Sequence, residues 1–291
     1  MLLELIAAAS RQLPAFRGKA QMARQLMRCR REPSGSAWLL TRHNGDRIVL
    51  PPDSNMCWQT AFTGVWDDPI IDHIGRFVRP GTLVLDIGAA IGLWTIPLAR
   101  VARMVGATVV AVEPMPANAR WLHANLALND MLDEVVVHPV ALGSSTGVAR
   151  LESSEMAGGS GAIALSNGAP LAVDGVDVVV RRLDDLPLTA PVSFMKLDVE
   201  GLECQVLDGA TSVIQTDRPV ILGEFSTEFL ELRGETLTPL LERFADLRYR
   251  IVAVDVDRTR PWRARDRVLL RVVPAGAGHA PSGDLLLIPE H

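Results

Sequence analysis

The sequence predicts an α/β protein with a mostly parallel sheet and antiparallel strands at its carboxyl-terminal edge. From about Val65 onward, short apolar runs alternate with longer segments of helical pattern. This alternation is typical of parallel strands joined by crossover helices. The last part of the chain differs, because two strand-like runs follow each other without a long helix between them and "DLLLIPE" comes last. We expect these final strands to be antiparallel.

Length, charge and cysteine usage narrow the class of protein. The 291 residues, 48% of them hydrophobic, can bury the core of one large domain or two modest ones. A net charge of -5 gives no overall reason to expect a nucleic-acid partner. The cysteines, Cys29, Cys57 and Cys204, are far apart and odd in number, which favours reduced thiols over disulfides or a zinc site. Because no apolar run approaches the length of a transmembrane segment, we expect a cytoplasmic protein.

An N-terminal extension, residues 1–57, is predicted to precede a main domain, residues 58–291. From Met1 to about Arg31 the chain is rich in helix formers, and the second half of this stretch predicts a basic amphipathic helix. Its basic face is suited to contact with solvent or with an anionic membrane surface. Because of its apolar residues, we expect the extension to act as a lid or as a homodimer contact. The following "AWLLTRHNGDRIVLPP" predicts a β-hairpin, since Asn44 and Gly45 both tolerate positive φ.

The strands of the main domain are predicted from apolar runs of strand length bounded by turn residues. These runs are Leu83–Ile87, Thr108–Val112, Glu134–Pro139, Ser193–Leu197, Val220–Phe225, Tyr249–Val256 and Val268–Val273. Helical patterns lie between most of the first five. The glycine-rich stretches Gly158–Gly161 and "PAGAGHAPSG" predict mobile loops.

The turn after the first of these strands is the first place to look for a ligand. Ligands of open α/β sheets bind at the carboxyl ends of the strands, and Asp86, Gly88 and Gly92 lie there. A dinucleotide site normally has Gly-x-Gly-x-x-Gly, so that a pyrophosphate can approach backbone N–H groups. Here two glycines stand four apart, with alanines between them. This spacing argues against a nicotinamide dehydrogenase and suits a ligand without phosphates.

The next strand ends in Glu113, twenty-seven residues after Asp86. A carboxylate in this place can accept hydrogen bonds from both hydroxyls of a ribose. A nucleoside without a pyrophosphate describes S-adenosylmethionine, which we predict as the cofactor. The predicted binding set is Asp86, Gly88, Ala89, Gly92, Glu113 and Pro114.

Several segments resemble one family. The runs "DIGAAIGLWT", "VEPMPANARWLHANLALND", "VALGSSTG", "LDDL", "FMKLDVEGLECQVLDGA" and "PVILGEF" resemble the FkbM-type methyltransferases, a branch of the class I S-adenosylmethionine-dependent enzymes. The resemblance covers about Trp58 to the C-terminus. It implies a Rossmann-like class I methyltransferase sandwich and O-methylation of a hydroxyl on a small molecule such as a sugar, a polyketide or another secondary metabolite.

The resemblance also implies roles for single residues. Asp86, Gly88 and Glu113 fall on cofactor positions, and a second set matches the framework of the family. That set is Asn125, Asn129, Ala141 and Leu142. The sequence departs from the family at Ala90, where Asn is usual, so an amide that could contact the cofactor is missing.

Acids near the end of the fourth predicted strand are the candidates for chemistry. Methyl transfer requires the acceptor to be aligned, and an alcohol acceptor must also lose its proton. Lys196 and Asp198 are two residues apart and point to the same side, while Glu200, Glu203 and Glu224 are expected on the same rim. We predict Lys196, Asp198, Glu200 and Glu224 as the catalytic set. Asp198, Glu200 and Glu224 are also the candidates for a divalent metal such as Mg²⁺.

Alternative roles and an alternative function stay open. Glu200 and Glu203 are expected in the first turn of a helix, where the dipole alone favours acids, and Lys196 could simply neutralise its neighbours. Other candidate bases are His73, His123 and His138, and Trp66, Asp67 and Asp68 could wall the cofactor pocket. A non-catalytic protein that keeps the fold for binding or scaffolding is the rival to the enzyme.

Overall fold

The structure is a computed structural model that describes residues 9–10, 22, 25, 37–41, 45–51, 60–62, 68–153, 161–164, 175–232, 234, 236–257, 267–273 and 283–290. Of the predicted N-terminal helices, residues 9, 10, 22 and 25 are described, and all four are helical. The dimer hypothesis therefore lies outside the described residues, as do Cys29, Cys57, Trp66 and Asp67.

The described chain contains fourteen strands and seven α-helices. The strands are β1 (Trp38–Thr41), β2 (Arg47–Leu50), β3 (Leu83–Ile87), β4 (Thr108–Val112), β5 (Val135–His138), β6 (Ala141–Leu142), β7 (Gly147–Ser153), β8 (Gly161–Ala164), β9 (Gly175–Arg181), β10 (Val192–Leu197), β11 (Val220–Phe225), β12 (Tyr249–Asp257), β13 (Arg267–Val272) and β14 (Gly283–Pro289). The helices are α1 (Asp68–Ile74), α2 (Thr95–Val105), α3 (Pro116–Leu128), α4 (Glu203–Asp208), α5 (Thr211–Asp217), α6 (Thr227–Leu232) and α7 (Leu237–Asp246).

The central sheet has eight strands in the order β13-β12-β14-β11-β10-β3-β4-β5. Strands β11, β10, β3, β4 and β5 are parallel neighbours. Strands β14, β12 and β13 join antiparallel to one another, and β14 joins β11 in the same way. The predicted α/β sandwich with antiparallel C-terminal strands is confirmed. The chain moves outward from β3 in both directions, so the connections after β3 and β10 diverge and leave a crevice at their carboxyl ends.

Both faces of the sheet are buried, as its apolar strands predict. On β3, Leu83, Leu85 and Ile87 belong to one core and Val84 to the other. Phe194 of β10 shares the core of Val84. Since side chains alternate along a strand, Asp86 and Lys196 point to the face that carries Val84 and Phe194.

A second sheet, which the sequence analysis did not predict, lies along the chain between β5 and β10. Its four strands have the order β6-β9-β7-β8. Its buried residues include Leu151 and Val180, which pack with Leu202 just after the end of β10. This sheet therefore supports the loop that follows β10. The predicted mobile loop Gly158–Gly161 needs a correction at its last residue, because Gly161 begins β8.

The predicted hairpin is confirmed, with β1 and β2 pairing antiparallel from Trp38–Leu50 to Thr41–Arg47. Gly45 has a φ of 90°, a positive value of the kind that the Asn-Gly pattern predicts. Within the described residues, no helix has the length and apolar character needed to cross a membrane. The division at residue 57 stays a prediction.

Candidate active site

The turn after β3 has an unusual backbone. Gly88, Ala90 and Gly92 have φ values of 82°, 47° and 95°. The amides of Gly88 and Ala89 both donate to the carbonyl of Val112 at 3.0 Å, which ties the turn to the end of β4. The positive φ values explain Gly88 and Gly92, because a Cβ is disfavoured in this conformation, and they leave Ala90 strained.

The two glycines also make room for neighbouring elements. A Cβ on Gly88 would lie 1.8 Å from the carbonyl oxygen of Asp198, so glycine allows the turn to approach the end of β10. A Cβ on Gly92 would lie 2.9 Å from Leu122 of α3. The space is needed for the backbone after β10 and for α3.

Asp86 is fully buried beneath this turn. Its Oδ2 accepts a hydrogen bond of 2.6 Å from Thr95 at the start of α2. Its Oδ1 is buried and, among the described residues, has no hydrogen-bond partner. Burial raises the pKa of Asp86, and this effect outweighs the opposing attraction of Lys196. The unsatisfied oxygen is therefore a buried acceptor that a ligand donor can satisfy.

Glu113 joins the turn after β3 to the loop after β4. Its Oε2 accepts from the amide of Ala90 at 2.8 Å, and its Oε1 from the amide of Met115 at 2.8 Å and the side chain of Asn118 at 3.3 Å. Burial raises the pKa of Glu113, although these three bonds oppose the shift. With two donors on Oε1 and one on Oε2, the carboxylate keeps acceptor capacity on Oε2. Pro114 follows at the surface of this loop and Ala89 is buried in the turn.

Lys196 and Asp198 form an ion pair beside Asp86. Lys196 pairs with Asp86 in the register of β10 and β3, and its Nζ lies 2.8 Å from Oδ2 of Asp198. The lysine side chain is 7% exposed, whereas that of Asp198 is 32% exposed. Burial alone lowers the pKa of Lys196, but the carboxylates of Asp198, Asp86 and Glu224 reverse this and raise it. The Nζ also lies 5.8 Å from the ring centre of Trp94.

The side chain of Glu203 stabilises the loop after Asp198 through hydrogen bonds to the loop backbone. Oε1 of this buried acid accepts from the amides of Val199 and Gly201, both at 3.1 Å. Glu200 and Gly201 have φ values of 53° and 93°. Helix α4 begins at Glu203, so Glu200 precedes the helix, and its predicted place in the first helical turn is wrong.

The remaining predicted residues are more dispersed. Glu224 is exposed near the end of β11, on the rim that also carries Asp198. His73 contacts Arg76 at 2.6 Å, His123 contacts the carbonyl of Ala119 at 2.7 Å, and His138 ends β5. In the part of the chain that the structure describes, no group of three His, Cys, Asp or Glu could hold a metal ion. Asp198, Glu200 and Glu224, all described, do not converge into such a group.

Sequence reasoning missed three residues of this region. Thr95 binds Asp86, Asn118 binds Glu113, and Trp94 covers Lys196. Thr95 and Trp94 belong to the "DIGAAIGLWT" segment, so the sequence alone places them near the turn. Their partners were not visible, because a hydrogen bond between elements leaves no periodic signal.

The left-handed conformation of Ala90 predicts that this position limits stability. Alanine with a positive φ is strained relative to glycine, so Ala90→Gly should raise the free energy of unfolding by about 1 kcal/mol. Ala90→Asn, the residue usual in the resembling family, should also raise it, since Asn tolerates this region. Urea unfolding measures both. Ala124→Gly, at an exposed helical position of α3, is the control and should be destabilising; loss of stability in both Ala90 variants would contradict the assigned strain.

Burial of Asp86 predicts a pH-dependent stability. Its pKa is raised in the fold, whereas an aspartate in the unfolded chain titrates at about 3.9. Between these two values the folded state binds more protons, so this contribution is present at low pH and lost as pH rises through the folded pKa. Asp86→Asn should therefore gain stability relative to wild type as pH rises from about 4 to about 8.

Urea unfolding of both proteins across that range tests this expectation. Asp133→Asn, at an exposed position, controls for the loss of one negative charge. A stability difference between Asp86→Asn and wild type that stays constant with pH would contradict the expectation.

The fold and this rim define the class of protein: a Rossmann-like class I methyltransferase sandwich. The methyltransferase FkbM domain model matches residues 86–251, more than half of the chain. The chain belongs to the FkbM methyltransferase family, whose cofactor is S-adenosylmethionine. No protein of curated function matches it significantly in sequence.

Solved structures with a similar fold come from several bacteria. The FkbM methyltransferase of Methylobacillus flagellatus KT is 18% identical, with 80% of this chain and 54% of that chain covered and a TM-score of 0.43. The chain thus spans about half the length of that protein. A putative rRNA methylase of Clostridium thermocellum is 14% identical, covering 75% and 92%, with a TM-score of 0.42.

A third structure is an S-adenosylmethionine-dependent O-methyltransferase of Thermotoga maritima. It is 13% identical, covering 89% of this chain and 95% of that chain, with a TM-score of 0.40.

Proposed function

We propose that this protein transfers the methyl group of S-adenosylmethionine to a hydroxyl of a small molecule such as a sugar, a polyketide or another secondary metabolite. The observation that carries the proposal is one juxtaposition. Buried Asp86 and Glu113 flank the turn after β3, and the Lys196–Asp198 pair lies next to Asp86 on the neighbouring strand. A cofactor site and a candidate base thus share one rim.

The residues present fit the cofactor. S-adenosylmethionine has a positive sulfonium, a positive amino group and two ribose hydroxyls that donate hydrogen bonds. Asp86 offers a buried oxygen without a partner among the described residues, and Glu113 keeps acceptor capacity on Oε2. Glu113 would hold the ribose and Asp86 the positively charged end, with Gly88, Ala89, Gly92 and Pro114 shaping the backbone around them.

The chain's own part in the reaction is to bind, orient and take a proton. When bound, the cofactor supplies a methyl group on a positively charged sulfur, which is attacked in line by an oxygen. Asp198 would accept the hydroxyl proton of the acceptor, whose oxygen would gain the methyl group as the bond from that group to sulfur breaks. Lys196 holds Oδ2 of Asp198, whose side chain is 32% exposed, so Oδ1 is the oxygen that would take the proton. Glu200 and Glu224 contact the acceptor at the rim.

Calorimetric binding of S-adenosylmethionine and S-adenosylhomocysteine tests the cofactor, with NAD as the control and with magnesium present or absent. Micromolar binding of the first two and none of NAD supports the proposal. An acceptor screen among hydroxylated metabolites then follows methyl ether formation by mass spectrometry. Binding without turnover on any acceptor would favour the non-catalytic alternative, and no binding at all would refute the cofactor assignment.

A further inference from the structure

One buried amide links three elements of the chain. Asn125 of α3 is 0% exposed. Its Oδ1 accepts from the amide of Val49 at 2.7 Å, and its Nδ2 donates to the carbonyl of Val49 at 3.1 Å and to that of Ile91 at 2.8 Å. Val49 lies in the N-terminal hairpin, and Ile91 lies in the turn after β3. The asparagine amide has one acceptor oxygen and two N–H donors, so these three bonds use both of its polar atoms.

Asn129, one helical turn later, binds the same hairpin and leaves the turn alone. Its Oδ1 accepts from the amide of Arg47 at 2.9 Å, and its Nδ2 donates to the carbonyl of Arg47 at 2.6 Å and to that of Asn125 at 2.7 Å. The Arg47 side chain donates to the carbonyl of Leu128. Residues 47 and 49 alternate along β2, and their backbone groups form the edge that does not pair with β1. The side-chain amides of Asn125, in α3, and of Asn129, just after it, thus pair with the backbone groups of this edge of β2.

The turn after β3 depends on the same amide. Ile91 stands between Ala90 and Gly92, whose φ values are positive, and it is 2% exposed. Without Asn125, its buried carbonyl would lose this donor, at the free-energy cost of an unpaired polar group. A further contact joins the hairpin to α2, since Arg100 of α2 lies 3.2 Å from Asp46, the residue before β2.

We propose that Asn125 is a positioning residue that couples docking of the β1–β2 hairpin to the shape of the turn between Gly88 and Gly92. This coupling rests on the proposed cofactor site at that turn. A cofactor that orders the turn stabilises the Ile91–Asn125 bond, and through Asn125 it stabilises the docked hairpin. Because coupling between two sites is reciprocal, undocking of the hairpin weakens cofactor binding by the factor by which bound cofactor favours docking. Asn129→Ala leaves the three bonds of Asn125 in place, so we expect the hairpin to stay docked in that variant.

Two alanine variants separate coupling from simple hairpin anchoring. Asn125→Ala removes bonds to both the hairpin and the turn, whereas the matched Asn129→Ala removes bonds to the hairpin and to the helix backbone only. We expect Asn125→Ala to weaken calorimetric binding of S-adenosylhomocysteine by about tenfold or more, and Asn129→Ala by less than about threefold. Equal losses in the two variants, or no loss in either, would overturn the proposal.

Hydrogen exchange of the wild-type protein tests the coupling without any variant, in case Asn125→Ala does not fold. Saturating S-adenosylhomocysteine should slow exchange in a peptide covering residues 45–51 and leave α7 unchanged. Protection of residues 88–94 alone, with no change in 45–51, would overturn the coupling while leaving the cofactor site intact. No binding by wild type would instead refute the proposed function, and the coupling with it.

Discussion

The variant Glu113→Gln is expected to bind S-adenosylhomocysteine about tenfold to a hundredfold more weakly than wild type, a loss of about 1–3 kcal/mol. In the structure both oxygens of Glu113 accept main-chain N–H groups, from Ala90 and from Met115. Glutamine has a single acceptor oxygen, so one of these N–H groups would face an amide donor. The variant therefore loses the charged acceptor for the ribose and also a tie that shapes the turn.

Calorimetry measures the affinity, and thermal unfolding shows whether the variant remains folded. Glu134→Gln is the matched control, because its carboxylate pairs with Arg103 at the surface, 2.7 Å away. Its affinity for S-adenosylhomocysteine should equal that of wild type. If Glu113→Gln bound as tightly as wild type, the assignment of the ribose to Glu113 would be refuted.

The second large effect is expected for Asp198→Asn, which should slow methyl transfer about a hundredfold or more. Asparagine keeps the size of the side chain and can accept a bond from Lys196, but it cannot take up the proton of the acceptor. Binding of S-adenosylhomocysteine should change by less than about threefold, because the loss falls on the transition state. Steady-state kinetics on an acceptor found by screening, together with calorimetry, separate the two quantities.

Two further measurements show whether Asp198 acts as the base. The activity of Asp198→Asn should recover in part at high pH, where solvent hydroxide can remove the proton. The control is Asp177→Asn, which removes an aspartate paired with a basic side chain elsewhere in the protein. Asp177 lies 2.9 Å from Arg150 on the second sheet. A small and equal effect of Asp198→Asn on turnover and on cofactor binding would make Asp198 a structural residue.

Most of the central sheet could be predicted because its signals are local. Leu83–Ile87, Thr108–Val112 and Val220–Phe225 are strands with the predicted bounds. Each is a short apolar run between turn residues, and burial on both faces of a parallel sheet demands such a run. The hairpin was predictable for a similar reason, since Asn-Gly favours one kind of turn.

The second sheet could not be predicted in the same way. Strand β9 pairs with β6 and β7, which lie some way back in the chain, and its buried residues pack against residues such as Leu202. The start of α4 was also misjudged, because Glu200 adopts a positive φ that its residue type does not favour. The amides of Val199 and Gly201 donate to the Glu203 side chain and hold that conformation, and helix propensity does not reveal such local side-chain bonds.

The sequence by itself determined the class of fold, the glycine turn and the acids Asp86, Glu113 and Asp198 near the ends of their strands. These features depend on residue type and spacing, which are present in any conformation of the chain. Only the tertiary structure decided that Asp86 has a buried oxygen without a partner, that Lys196 pairs with Asp198, and that Asn125 joins the hairpin to the turn. The Asn125 bonds connect residues far apart in the chain, and the burial around Asp86 and Lys196 arises only when packing brings several strands and helices together.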